Sequence, residues 1–137
     1  MTTRPDIDTY RLIFNRVASG DFRAALLQAI ETSEYHRENI DLKSSYDDYE
    51  CWMPPTPISG FAVSKNHELV NVFSGVCGVG SSAVKCAQEH YDYLHLNCYD
   101  TTFLKNFYLK NDFKIVDVVP SYIPGKRDVL FMEWHKN

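Results

Sequence analysis

Glu68-Leu-Val-Asn-Val-Phe-Ser74, Gly75-Val-Cys-Gly-Val-Gly-Ser-Ser82 and Ala83-Val-Lys-Cys-Ala-Gln-Glu-His90 follow one another without interruption and decide how the chain is read. Leu69, Val70, Val72 and Phe73 are β-formers, three glycines then break the ladder, and Val79, Ala83, Cys86, Ala87 and His90 recur at helical spacing. The order is strand, glycine-rich turn, helix. Such a turn aims main-chain N–H groups at one point in front of a helix N-terminus, so it suits a phosphate or diphosphate.

Upstream, Ile58-Ser-Gly-Phe-Ala-Val63 is a second β-rich run, joined to residues 69–73 by a short polar loop, and the pair predicts a hairpin. Tyr49-Glu-Cys-Trp-Met53 predicts a strand that stops at Pro54-Pro55, where N–H donors are missing. Asp21 is expected to cap a helix that buries Phe22, Ala25, Leu26, Ala29 and Ile30. Residues 10–16 read as a strand, although Tyr10, Ile13, Phe14 and Val17 also satisfy a helical period. Residues 31–48 are dominated by polar and charged side chains and are expected to form a mobile surface segment.

Downstream, Tyr93-Leu-His-Leu-Asn-Cys98 predicts a strand with Leu94 and Leu96 on one face. Asp100 is expected to cap a helix over residues 101–109 that stacks Phe103 on Phe107 and Leu104 on Tyr108, with Asn111 in the left-handed turn that ends it. Residues 113–119 and 129–134 predict two closing strands, separated by a loop with Pro124-Gly125 as its turn.

The 137 residues fit one domain, and 45% apolar with 14% aromatic content can fill a core without disulfide or metal staples. A formal net charge of −4 with scattered basic residues gives no field for holding nucleic acid. Cys51, Cys77, Cys86 and Cys98 lack CxxC spacing, and neither a charged-then-apolar leader nor a long apolar run is present, which predicts a reduced, cytoplasmic protein with no membrane partner. Five scattered histidines add no metal pattern.

A mononucleotide phosphate loop needs a Lys directly after its last glycine, and that position is Ser81. Gly78-Val-Gly80-Ser-Ser-Ala83 does match the looser dinucleotide pattern, with Asp100 about twenty residues on. Against it stand the antiparallel pairing of the preceding strand and the shortness of the chain after Ala83. A third reading rests on likeness. Gly75-Val-Cys-Gly78-Val-Gly80 and Phe107-Tyr108-Leu-Lys-Asn-Asp-Phe113, in that order within this succession of elements, resemble two signatures of the GNAT superfamily of acyl-CoA-dependent N-acetyltransferases. The closing residues also resemble small members from bacteria and their phages. In that family the first motif opens on Arg or Gln where this chain has Gly75, and the second has Gly where this chain has Asp112.

The resemblance implies an α+β fold in a single domain over residues 1–137: a mixed, mostly antiparallel twisted sheet flanked by helices on both faces. It implies acetyl-CoA as co-substrate and a primary amine of a small molecule or protein as acceptor, attacking the thioester directly. The main chain of Val72, Phe73 and Ser74 would bind the pantetheine arm. The turn Gly75, Val76, Cys77, Gly78, Val79, Gly80 and Ser81 would hold the pyrophosphate, and Asp100 stands near a position that touches the cofactor arm. Tyr108 matches the general acid, against its plainer reading as a core partner of Leu104. Glu68 is the candidate general base, with His67, Glu50 and His95 as rivals. The acidic residues of 31–48 suit a cationic acceptor as well as a solvated face. The departure at Gly75 keeps a second function open, an inactive module that binds a protein partner through residues 46–52. A homodimer is among the admissible assemblies.

Overall fold

Four strands, β1 (Asn15–Val17), β2 (Tyr49–Met53), β3 (Ser59–Ser64) and β4 (Leu69–Ser74), lie in that order in one antiparallel sheet of the computed structural model, which describes residues 12–56, 58–75 and 79–137. Strands β5 (Tyr93–Tyr99), β6 (Lys114–Val119) and β7 (Val129–His135) form a second antiparallel sheet with β7 in the middle. Helices α1 (Ser19–Thr32), α2 (Glu34–Asn39), α3 (Gly80–His90) and α4 (Thr102–Lys110) complete the chain.

Side-chain alternation on β3 sorts the helices to the two faces of the first sheet. Ala62 points toward α1, into a cluster with Phe22, Leu26, Cys51 and Phe73. Phe61 and Val63 point the other way, to Ala83, Val84 and Ala87 of α3 and on to Leu94, Leu96, Leu130 and Met132 of the second sheet. That second cluster is what binds the two sheets together.

β4 positions the site. Between the pairs Gly60–Phe73 and Ala62–Val70 it carries one residue more than β3, and Asn71 absorbs the extra length with φ 51°. A bulge of this kind bends its strand. Its neighbour β5 runs parallel to it yet meets it in a single bridge, Glu68 to His95. Beyond that rung the strands part and leave a cleft between β4, β5, α2 and α4.

Several expectations need correction. The helix of residues 19–32 begins one turn earlier than Asp21 suggests; Ala18 is its N-cap, and Asp21 lies in the first turn, where its charge suits the dipole. Thr101, not Asp100, caps α4, because its hydroxyl accepts from the Leu104 amide at 3.1 Å while the Asp100 amide donates to the Asp128 carbonyl. Asn111 has φ −98°, and Asp112 takes the left-handed position with φ 72°. Residues 31–48 are not a loose surface segment. They complete α1, form α2, and bury Tyr46, whose hydroxyl donates to Asn71 Oδ1 at 2.5 Å and accepts from the Lys43 amide at 3.1 Å. Within residues 46–52, Tyr46, Cys51 and Trp52 are buried, and Asp47, Asp48 and Glu50 are exposed. Of the strand expected over residues 10–16, Tyr10 and Arg11 lie outside the described residues, and the ladder is confined to Asn15–Val17.

Candidate active site

Two cavities open off the cleft and share a wall. The first, about 690 Å³, lies between the end of β4, the start of α3 and one face of α4; Phe73, Ser74, Gly75, Gly80, Ser81 and Phe107 line it. The second, about 410 Å³, lies between α2 and the facing edges of β4 and β5; Glu38, Asp41, Lys43, Glu68, Asn71 and Cys98 line it. Tyr35, His36, Val72, Leu104 and Tyr108 touch both. Anything passed from an occupant of one cavity to an occupant of the other crosses at these residues.

Tyr108 is placed there by α4. Its ring packs edge-on against Phe107 and Phe113, 5.0 and 5.6 Å between centroids, and only 9% of the residue is exposed. Burial first, then the neighbouring Cys98 thiol and Tyr35 phenol, drives its pKa upward. The phenol therefore keeps its proton at neutral pH and can only donate. Cys98, half-buried beside it, is pushed up to about 11 by burial and then by Asp100, so it is a thiol and no nucleophile.

His36 was not legible as a site residue. It sits on α2, whose first turn is fixed by Ser33 Oγ accepting from the His36 amide at 3.3 Å. The imidazole is 7% exposed, and its Nδ1 is buried without a hydrogen-bond partner. Burial lowers its pKa against an opposing hydrogen bond with the Ser74 main chain, so the ring is neutral at pH 7. The two aromatic rings of Tyr35 and His36 meet edge-on at 5.5 Å.

The first cavity has the features of an anion cradle at one end. No side chain caps the N-terminus of α3, and a Cβ added to Gly80 would come within 3.3 Å of the Phe107 ring, so helix and α4 approach as closely as glycine permits. Asn111 Nδ2 reaches Ser81 Oγ at 3.4 Å and the Phe107 carbonyl at 2.8 Å, tying the end of α4 to the start of α3.

Solved structures share the fold. A GCN5-related N-acetyltransferase from Rhodopseudomonas palustris superposes with a TM-score of 0.64 at 13% identity, covering 92% of this chain and 96% of its own. An acetyltransferase of the GNAT family from Streptococcus pneumoniae gives 0.61 at 16% identity, over 93% of this chain and all of its own. A NatC complex bound to Gag peptide and CoA contains a chain that gives 0.57 at 13% identity, over 93% and 100%. The chain has the GNAT fold. No family sequence profile and no curated protein sequence matches it.

Within the GNAT fold, the residues expected from sequence divide clearly. Val72, Phe73, Ser74, Gly75, Gly80 and Ser81 all line the first cavity. Val76, Cys77 and Gly78 lie outside the described residues. Val79 is buried as the N-cap residue of α3, away from both cavities' walls, and Asp100 lines neither cavity. The Gly75 amide is not a free donor, because it is engaged by the Ile58 carbonyl at 2.6 Å. Glu68 does line the second cavity, accepting from Asn97 Nδ2 at 3.4 Å. Its rivals have other partners: Glu50 pairs with Arg16 at 2.9 Å and accepts from the Tyr91 hydroxyl, His67 Nδ1 donates to the Tyr93 carbonyl at 3.0 Å, and His95 Nε2 donates to the Asn66 carbonyl at 2.9 Å. No three His, Cys, Asp or Glu side chains among the described residues cluster to hold a metal, and no helix among them is long and apolar enough to cross a membrane.

Proposed function

We propose that the protein transfers an acetyl group from acetyl-CoA to a primary amine of a small molecule or protein, by direct attack of the amine on the thioester. The observation that carries this reading is the meeting of two chemically unlike cavities at a buried, protonated phenol. The larger, apolar cavity with an uncapped helix N-terminus suits a pantetheine arm and its diphosphate. The smaller one, with three carboxylates against one ammonium, suits a cationic amine.

An amine attacks only when neutral, and the departing thiolate needs a proton. In the proposed mechanism Glu68 on the acceptor side takes the ammonium proton, directly or through water. As the C–S bond breaks Tyr108 hands its proton to the sulfur, and the proton that the attacking nitrogen sheds on becoming an amide restores the phenol, whose seclusion keeps its proton in place until the thiolate forms. Val72 and Ser74 lie on the side of β4 that faces the cleft, suited to flanking the thioester arm. His36 and Tyr35 exclude water from the crossing point.

Calorimetry with acetyl-CoA and a turnover assay test the reading together. Acetyl-CoA should bind, and Tyr108→Phe should bind it within about twofold of the wild type while turnover falls about a hundredfold, the scale of a lost general acid. Undiminished turnover in that variant removes Tyr108 from the mechanism. No heat and no thermal shift at millimolar acetyl-CoA would break the transferase reading itself and leave the inactive binding module.

A further inference from the structure

The diphosphate end of the larger cavity poses a charge problem that the turn does not solve. From Gly75 to Ser82 the sequence holds no ionisable side chain apart from the Cys77 thiol, so nothing in the turn neutralises a diphosphate. Among the described residues that line this cavity, Lys110 carries the only full charge, and no carboxylate opposes it. Lys110 ends α4, directly before Asn111, whose amide nitrogen touches Ser81 Oγ at 3.4 Å across the gap to α3. Packing of Phe107 on Gly80 holds the last turn of α4 against the first turn of α3, and Lys110 lines the same cavity as Gly80 and Ser81. Lys110 is exposed, and among the described residues no ion pair engages its ammonium.

We infer that Lys110 is the diphosphate-binding cation of this protein, supplying from the end of α4 the positive charge that the side-chain-free position Gly75 does not. The inference rests on the coenzyme A reading above. It replaces a cation carried by the turn with one carried by the opposite helix, next to the uncapped amides of α3.

The test is calorimetry of CoA and of dephospho-CoA, which keeps the diphosphate and lacks the 3′-phosphate, against the whole protein. Lys110→Gln should weaken both ligands about tenfold, the usual scale of one charge-assisted phosphate contact, and flatten the salt dependence of binding. Lys110→Arg keeps the charge and should bind as the wild type, which separates charge from packing. Position 75 can accept a side chain, since among the described residues a Cβ there meets only the Ile58 carbonyl oxygen at 3.6 Å and its φ is not positive. Adding Gly75→Arg to the Lys110→Gln protein should therefore restore most of the lost affinity. Equal affinity of wild type and Lys110→Gln for CoA overturns the inference and leaves the transferase reading standing. A penalty seen with CoA and absent with dephospho-CoA overturns the diphosphate assignment in favour of the 3′-phosphate. Absence of CoA binding by the wild type fails the transferase reading and this inference with it.

Discussion

The cavity beside α3 is walled by aromatic rings and small residues, with Lys110 as its one charge among the described residues, whereas the cavity under α2 presents Glu38, Asp41 and Glu68 against Lys43. The two are separated only by a layer of side chains that includes Val72, Leu104 and Tyr108. The difference teaches how one cleft can present two sites of opposite charge without mixing them. Each charge pattern comes from a different element: α4 and the α3 turn serve one side, α2 and the closed end of the β4–β5 gap serve the other.

The largest expected disruption of this contrast is at Asn71, whose left-handed backbone shapes the bulge and whose side chain accepts from Tyr46 and donates to the Asp41 carbonyl at 3.2 Å. Asn71→Ala should lower unfolding free energy by about 2–4 kcal/mol, combining left-handed strain with the orphaned, buried Tyr46 hydroxyl. Asn71→Gly relieves the strain alone and should cost roughly half as much in the same denaturant titration. A smaller effect is expected at Glu68, which touches the second cavity only. Glu68→Gln should lower kcat/KM for a cationic amine about a hundredfold, the scale of a lost general base, and leave CoA affinity unchanged. An equal loss of CoA binding would show that the two sides are not independent.

His36 sharpens the comparison through pH. Its folded pKa is below the ordinary value, so above about pH 6.5 both folded and unfolded chains carry a neutral ring and stability is complete. As pH falls below that value the unfolded chain takes up the proton first, and stability drops by up to about 1.4 kcal/mol per pH unit until the folded pKa is reached. Melting curves of His36→Gln should lack this component, and identical pH slopes in the two proteins would contradict it. The smallest effect is expected at Asp112, which lines neither cavity. Asp112→Gly removes a strained left-handed residue and should stabilise the protein by about 0.5–1 kcal/mol with kinetics unaltered.

Elements with a strong period or a forceful breaker were readable from sequence. The β3–β4 hairpin, the helix after the glycine turn and the strand ending at Pro54 all lie where spacing and turn chemistry put them. Tyr108 enters as candidate acid through the resemblance of the stretch from Phe107 to Phe113 to a GNAT signature, and both of those aromatic rings pack against it in space. The failures cluster in residues 31–48. There a few large side chains, Tyr46 above all, are buried by tertiary contacts with Asn71 and Phe22 that no local pattern announces. His36 was lost for the same reason: a histidine amid acids reads as solvated until β4 is seen to pass over it. The caps failed through competition, since Asp100 and Thr101 both suit an N-terminus, and only the strand-end bond to Asp128 decides between them.

One rung, Glu68 to His95, is the whole main-chain seam recorded between the two sheets among the described residues; past it they adhere by interlocked apolar side chains. Ladder hydrogen bonds fix strand spacing near 4.8 Å, whereas packed side chains set separation by their bulk. The gape of the cleft is thus an adjustable dimension, written in residue volumes at positions such as Leu96 and Leu104. Lineages of this architecture can resize it one methylene at a time without unpicking a single strand.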